Sequence, residues 1–152
     1  MATPYNDVID LALVTIRDYK LDQLYDKSPT DFEIYMQGFM KKGIPYFTNC
    51  LKNLFLRNEI AKEFDETLDY DEIGILSDYT ILEWLKTEIY DVRQITGMMQ
   101  NGKEAHRFSE ANLLDKKILL KATTIEDLNQ KKTDYGIKHI NWTSWAGGDY
   151  GI

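Results

Sequence analysis

The sequence contains few of the residues that cross-link a small protein or equip it for catalysis. It has one cysteine and three prolines among 152 residues. Because Cys50 cannot form an internal disulfide, a cytosolic, reducing place of synthesis is favoured. No cysteine pair, His-x-x-x-His spacing, calcium-binding acidic loop or phosphate-binding glycine loop occurs in it. We therefore predict no metal site and no cofactor.

The sequence also lacks a clear set of residues for nucleophilic catalysis, because a serine or cysteine nucleophile needs a histidine and an orienting acid beside it. The two histidines are His106, at the start of a predicted helix, and His139, near the C-terminal end. Cys50 falls on the apolar face of another predicted helix and is interpreted as a buried structural thiol. The carboxylates from Asp65 to Glu72 are typical of helix caps and a solvated edge. The chain is predicted not to be an enzyme, and a hydrolase acting through those carboxylates is a distant alternative.

Positive charge is in deficit, with 18 lysines and arginines against 25 acidic residues and a net charge of -7. This balance argues against adhesion to nucleic acid or to an anionic membrane surface. No run of about eighteen apolar residues is present. Asp7 and Asp10 interrupt the first apolar residues, so we expect neither a membrane span nor a signal peptide.

Apolar residues at helical spacing are plentiful, and they organise the chain. The stretch from Asp71 to Val92 is apolar on more than one helical face, so it must be covered on several sides. We predict it to be the central helix of a small, all-α bundle. A first helix is predicted from Pro4 to about residue 18, capped by Thr3. Residues 19–27 and 60–68 are predicted to be connections, the second with a brief extended piece.

Two longer amphipathic segments complete the predicted bundle. One begins at Ser28-Pro29 and follows a helical pattern for six turns to Leu54, with a kink ahead of Pro45. The other runs from Lys103 to Asp134 without Gly or Pro. Its predicted buried face comprises Phe108, Ala111, Leu114, Ile118, Ala122, Ile125 and Leu128. Lys116, Lys117 and Lys121 are predicted to face water.

Residues 1–134 are thus predicted to form a helical domain, and residues 135–152 an extended C-terminal arm. The arm is rich in apolar and aromatic side chains, which is unusual for a disordered tail. We expect it to bind a partner or a neighbouring subunit through Ile137, Ile140, Trp142, Trp145 and Tyr150. Phe55, Leu56, Met98 and Met99 are weaker candidates for contacts between subunits.

One family resemblance bears on the function. The runs from Leu76 to Leu85 (LSDYTILEWL) and from Phe108 to Leu114 (FSEANLL) resemble the head-tail connector, or neck adaptor, proteins of tailed phages. The opening is similar too, from Asp18-Tyr19 through Asp31-Phe32 to Phe47 and Cys50. The likeness covers about residues 4–134, and its motifs are structural, so it carries over no catalytic position.

The resemblance implies a virion protein of the phage neck, made in the host cytoplasm. It implies a ring of copies of the chain, a dodecamer, that binds the portal protein and extends the DNA channel. Such a ring docks the next neck or tail protein, and DNA passes through without specific binding. The alternative is a free helical regulatory or small-ligand-binding protein whose tail folds over a pocket beside the central helix.

Overall fold

A computed structural model of the protein describes the backbone of residues 2–98 and 104–140, and the side chains of residues 2–92 and 112–140. The helices are α1 (Tyr5–Thr15), α2 (Tyr19–Lys27), α3 (Pro29–Gly43), α4 (Tyr70–Met98) and α5 (Glu104–Lys138), with a 3-10 turn at Ile44–Tyr46. Three two-residue strands accompany them: β1 (Thr3–Pro4), β2 (Arg57–Asn58) and β3 (Glu63–Phe64). The predicted small helical bundle is confirmed, with a minor antiparallel sheet that the sequence pattern did not predict.

The α4 helix is the centre of the bundle, as its apolar circumference predicts. Helices α1, α3 and α5 all pack against it. Ile75, Leu76 and Leu85 are completely buried, and Trp84 nearly so. A helix that is covered on three sides can bury apolar residues around most of its surface, which explains the sequence pattern.

Helices α4 and α5 form an antiparallel pair that ion pairs hold in register. Lys138 lies 2.5 Å from Asp71 and Lys131 lies 2.6 Å from Asp78. Nearer the other end of the pair, Lys117 lies 2.5 Å from Glu88. The partner numbers rise on α4 as they fall on α5, which is the pattern of an antiparallel hairpin.

The N-terminal part of the prediction needs two corrections. Thr3 does not cap α1. It lies in β1, and its hydroxyl accepts a hydrogen bond from the Leu68 N–H at 2.8 Å. The predicted connection at residues 19–27 is α2, a helix capped by the Asp18 side chain, which accepts from the Lys20 N–H at 2.7 Å. Leu21, Leu24 and Tyr25 do have helical spacing, but α2 is only nine residues long and Leu21 is its one buried residue, so the pattern was too short to be recognised.

The predicted six-turn helix is wrong beyond Gly43. Helix α3 ends there, Pro45 lies in the 3-10 turn, and residues 47–56 form a loop. Gly43 is needed for close packing, because an added Cβ would lie 2.8 Å from the Tyr79 Cβ on α4. Phe47 and Leu54 lie in this loop and are buried in the core. They are apolar because they are buried, although the segment is not helical.

The small sheet ties the N-terminus to this loop region. Its strand order is β1-β3-β2, and both pairings are antiparallel. The brief extended piece predicted in residues 60–68 corresponds to β3. Tyr5, which follows β1, packs edge to face on Phe64 of β3 with 5.1 Å between ring centroids. The start of the chain is therefore part of the core.

Candidate functional site

The predicted partner-binding residues fall at the end of the described chain. Ile137, in the last turn of α5, is 49% exposed, and Ile140, just beyond the helix, is 41% exposed. Both are available for contact. Trp142, Trp145 and Tyr150 lie outside the described residues, so their predicted role stays a prediction.

The predicted start of the arm at Tyr135 is wrong. Helix α5 continues through it to Lys138, and the Tyr135 side chain is only 2% exposed. Its hydroxyl donates to Glu72 Oε1 at 2.8 Å and accepts from the Leu51 N–H at 3.0 Å. Its ring packs edge to face on Phe47, with centroids 5.6 Å apart. Tyr135 therefore belongs to the helical domain.

Glu72 is the centre of this buried polar cluster. The Asp69 N–H donates to Glu72 Oε2, and the Glu72 N–H donates to Asp69 Oδ1, each at 2.9 Å. This reciprocal pair is a capping box at the start of α4. Glu72 is 1% exposed, so the Tyr135 hydroxyl supplies the partner its remaining oxygen needs. The Asp-x-x-Glu spacing predicts the cap, but nothing in the sequence predicts the tyrosine.

Cys50 borders the same cluster, with its Sγ 3.9 Å from Glu72 Oε1. It is partly buried and packs against the core. Burial, together with the nearby Glu72 carboxylate, raises the pKa of the thiol to about 11. Since the thiolate is the nucleophilic form, we expect this thiol to be much less reactive at neutral pH than an ordinary cysteine.

We expect iodoacetamide to alkylate Cys50 at pH 8 about 100-fold more slowly in the native chain than in the urea-unfolded chain. The factor follows from the thiolate fractions at a pKa of about 11 and at the ordinary value of 9.0. The raised pKa also means that the free energy of unfolding falls as the pH rises from 9 towards 11. Mass spectrometry of timed samples measures the rates, and equal rates would contradict the buried environment.

Of the four weaker candidates for subunit contacts, two are described with their side chains. Phe55 is 64% exposed and Leu56 is 52% exposed. Leu51, 64% exposed, joins Phe55 in lining an open basin of about 430 Å³ in the loop after α3. Met98 ends α4 without a described side chain, and Met99 lies outside the described residues. The loop thus presents large apolar groups to solvent, as a contact surface does.

The predicted buried face of α5 is the largest disagreement between sequence and structure. Ile118 is 40% exposed, Ile125 is 39% exposed and Ala122 is exposed. These three recur at spacings of four and three, so they share one side of the helix. Leu113 and Leu119, 47% and 67% exposed, add to the apolar surface of this segment. We call Ile118, Leu119, Ala122 and Ile125 the outer stripe of α5, since Leu113 lies four residues before Lys117 and so on the other side of the helix. Leu114 is partly buried and Leu128 is buried. Phe108 and Ala111 have no described side chains.

The opposite side of α5 buries polar groups instead. Lys117, which was predicted to face water, is buried at 9% exposure. Its ammonium lies 2.5 Å from Glu88 and 3.8 Å from Asp18, and 5.5 Å from the centroid of the Trp84 ring. Lys116 is exposed and Lys121 partly exposed. Two carboxylates and an aromatic face compensate the desolvation of Lys117.

A smaller cavity of about 210 Å³ lies between α4 and α5. Tyr70, Asp71, Gly74 and Ile75 line it from α4, and Lys131, Asp134, Tyr135 and Lys138 from α5. Its volume is below the roughly 300–1,000 Å³ of most ligand pockets. The Lys138 and Lys131 ammonium groups at its edge are already paired with carboxylates of α4.

Within the described residues, no three His, Cys, Asp or Glu side chains are placed to hold a metal ion. None of the helices in that part of the chain is long and apolar enough to cross a membrane. Comparisons with protein-family models, curated proteins and solved structures found no match. The case for a function therefore depends on the residues and surfaces described above.

Proposed function

We propose that this protein is a structural subunit of a tailed-phage neck, a connector that assembles into a ring on the portal protein. The proposal starts from the resemblance of about residues 4–134 to neck adaptor proteins and is compatible with the helical bundle. The observation that carries it is the outer stripe of α5. A helix that buries Lys117 and exposes Ile118 and Ile125 has its apolar side free for a second protein.

The loop after α3 supplies a second apolar surface. Leu51, Phe55 and Leu56 are all more than half exposed, and Ile60, in the turn between β2 and β3, is 96% exposed. Solvated apolar groups cost free energy that burial at an interface recovers. A subunit with two such regions is suited to having a neighbour on more than one side, as a ring requires.

The net charge of -7 suits a protein that surrounds a DNA conduit. Basic residues on the wall of a channel would bind phosphates and slow the passage of DNA. An acidic wall repels the phosphates, so DNA passes without adhering to the ring.

Co-expression of the full chain with the portal protein of the same genome tests the proposal. We expect the two to co-elute in size-exclusion chromatography, and cryo-electron microscopy to show a ring of helical subunits below the portal. A full-length chain that stays in monomer fractions beside an assembled portal would contradict the connector function.

The predicted role of the arm has its own test in the same assay. Trp142→Ala combined with Trp145→Ala is expected to abolish portal binding, because aromatic anchors carry much of the energy of an interface. The matched control is Tyr70→Ala, which removes an aromatic ring that is 93% exposed on the bundle. Retained binding by the double variant would remove the arm from the docking surface.

The cavity between α4 and α5 favours the second candidate function, a small-ligand-binding protein. It lies beside the central helix, where that hypothesis places a pocket, and α5 ends at its edge. Limited proteolysis of the purified monomer discriminates between the two functions. Rapid cleavage beyond residue 140 that portal protein prevents supports the connector, whereas a tail that resists cleavage in the isolated monomer supports the ligand-binding protein.

A further inference from the structure

Charged and polar groups dominate the contact between α4 and α5, which we call the seam. Three carboxylate side chains are buried among the described residues, and all three lie on α4: Glu72, Asp78 and Glu88. Each has its partner on α5, a hydroxyl at 2.8 Å for the first and ammonium groups at 2.6 Å and 2.5 Å for the other two. These links are spread over about 24 Å of α4, so they fix the register of the two helices.

Apolar groups contribute little to the inner side of α5. Within residues 112–138, the buried side chains are Lys117, Thr124, Leu128 and Tyr135. Helix α1 is only 11 residues long, yet it buries Tyr5, Val8, Ile9 and Ala12. The buried residues of α3 include Phe32, Met36, Phe39 and Met40. Apolar packing therefore holds α1 and α3 in the bundle, whereas the described part of α5 is held mainly by polar contacts.

Buried polar contacts of this kind add little net free energy. The cost of taking two charges out of water offsets most of their attraction. At Asp78 the cost is the larger of the two, because burial raises the pKa of its carboxyl even though Lys131 donates a hydrogen bond to it. The ionised Asp78 side chain is thus less favourable in the seam than in water. Apolar burial stabilises in proportion to the area removed from water, so α1 and α3 are held more firmly than α5.

We propose that α5 is a strap that opens from the bundle as one unit while α1 and α3 remain packed on α4. The opening breaks the seam and returns its charged groups to water, where they are well solvated. It leaves the contacts of α1 and α3 with α4 in place, including the close packing of Gly43 on Tyr79. A segment with few buried apolar contacts is where such a partial opening is expected. The inference does not depend on the connector function.

The strap also holds the loop after α3. The Leu51 N–H donates to the Tyr135 hydroxyl at 3.0 Å, and the Asn49 side-chain amide donates to the Lys132 carbonyl at 3.4 Å. The Phe47 ring packs on the Tyr135 ring. Opening of α5 removes all three contacts, so the loop is released together with the strap. One opening therefore rearranges both exposed apolar surfaces of the subunit, the outer stripe and the loop.

Hydrogen exchange of the full-length native chain, followed by NMR spectroscopy over a range of low urea concentrations, measures the opening. We expect the amides of residues 117–135 and of Leu51 to exchange about tenfold or more faster than the buried amides of α1 and α3. They are expected to share one urea dependence, smaller than that of global unfolding, because one unit opens and exposes less surface. Amides of α5 that exchange as slowly as those of α1 and α3, or without a common urea dependence, would overturn the proposal.

Two substitutions separate the opening of α5 from unfolding of the whole chain. Val8→Ala, at a completely buried position of α1, is expected to speed exchange in α1 about tenfold and leave α5 unchanged, because the opening keeps the contacts of α1. Leu128→Ala, at a 4% exposed position of the seam, is expected to speed exchange in both helices about tenfold, because both processes break the seam.

Ile125→Ala on the outer stripe is the matched control for Leu128→Ala, and it is expected to leave both exchange rates near those of the wild type. If Val8→Ala accelerated exchange equally in α1 and α5, all these amides would exchange by global unfolding and the strap would be refuted. Unchanged exchange of α5 in the Leu128→Ala chain would refute it too.

Discussion

A chain that ends at Asp134 is expected to be about 4 kcal/mol less stable to unfolding than a chain that ends at Ile140. The shorter chain lacks Tyr135, whose side chain is 2% exposed and whose ring packs on Phe47. It also leaves Glu72 Oε1, in a residue that is 1% exposed, without its hydroxyl donor. Domains of this size have a total stability of about 5–15 kcal/mol, so the loss is expected to remove between about a quarter and four-fifths of it.

Urea unfolding followed by far-ultraviolet circular dichroism measures the difference between the two chains. Tyr135→Phe in the 1–140 chain separates the hydroxyl from the ring, and we expect it to cost about 1–3 kcal/mol because a buried carboxylate loses a partner. Equal midpoints for the chains ending at 134 and 140 would contradict the placement of Tyr135 in the core and restore the arm boundary at residue 135.

Lys117→Met is expected to cost about 3 kcal/mol of unfolding free energy. The side chains of Lys117 and Glu88 are 11% and 6% exposed, so both charges are largely removed from water. Methionine retains the volume but leaves the Glu88 carboxylate near Asp18. Among the described side chains, the nearest remaining cation is Lys20, at 4.0 Å from Glu88 and itself well exposed. An uncompensated buried charge costs more than the ion pair contributes.

The double variant Lys117→Met/Glu88→Leu distinguishes this mechanism from lost packing. Replacing both charges by apolar groups is expected to recover most of the stability, because no isolated charge remains. Lys116→Met is the matched control on the adjacent exposed position, with an expected change within about 0.5 kcal/mol. If the changes at positions 116 and 117 were equal, Lys117 would be a surface lysine, as its sequence context predicts.

The sequence predicted the elements whose apolar pattern matches their burial. Helix α4 was recognisable because nearly its whole circumference is buried, and α5 was predicted to within a few residues. The sequence did not predict correctly which side of α5 packs inward. Ile118, Ala122 and Ile125 form the natural apolar face of that helix, but periodicity does not say whether such a face meets its own chain or another protein. Lysines are rarely buried unless they are paired, so nothing in the sequence favoured placing Lys117 on the inner side of the helix.

The loop after α3 and the end of α5 were mistaken for related reasons. Phe47 and Leu54 are spaced as in a helix, yet they are buried from a loop that follows Gly43 and Pro45. The Tyr135-Gly136 pair read as a break, although a glycine near a helix end is tolerated. Ile137 and Ile140 are exposed, and their role in binding a partner stays a prediction. The hydrogen bond from Tyr135 to Glu72 joins residues 63 positions apart, and no local pattern reports a contact of that kind.

The link from Tyr135 to Glu72 has a consequence for biosynthesis. The first turn of α4 is translated well before Tyr135, so the buried site of Glu72 lacks its hydroxyl donor until α5 is made. Stable closure of the bundle is therefore expected only after α5 has left the ribosome. Ribosome-bound chains arrested ahead of residue 135 should remain protease-sensitive around α4, while released chains become resistant.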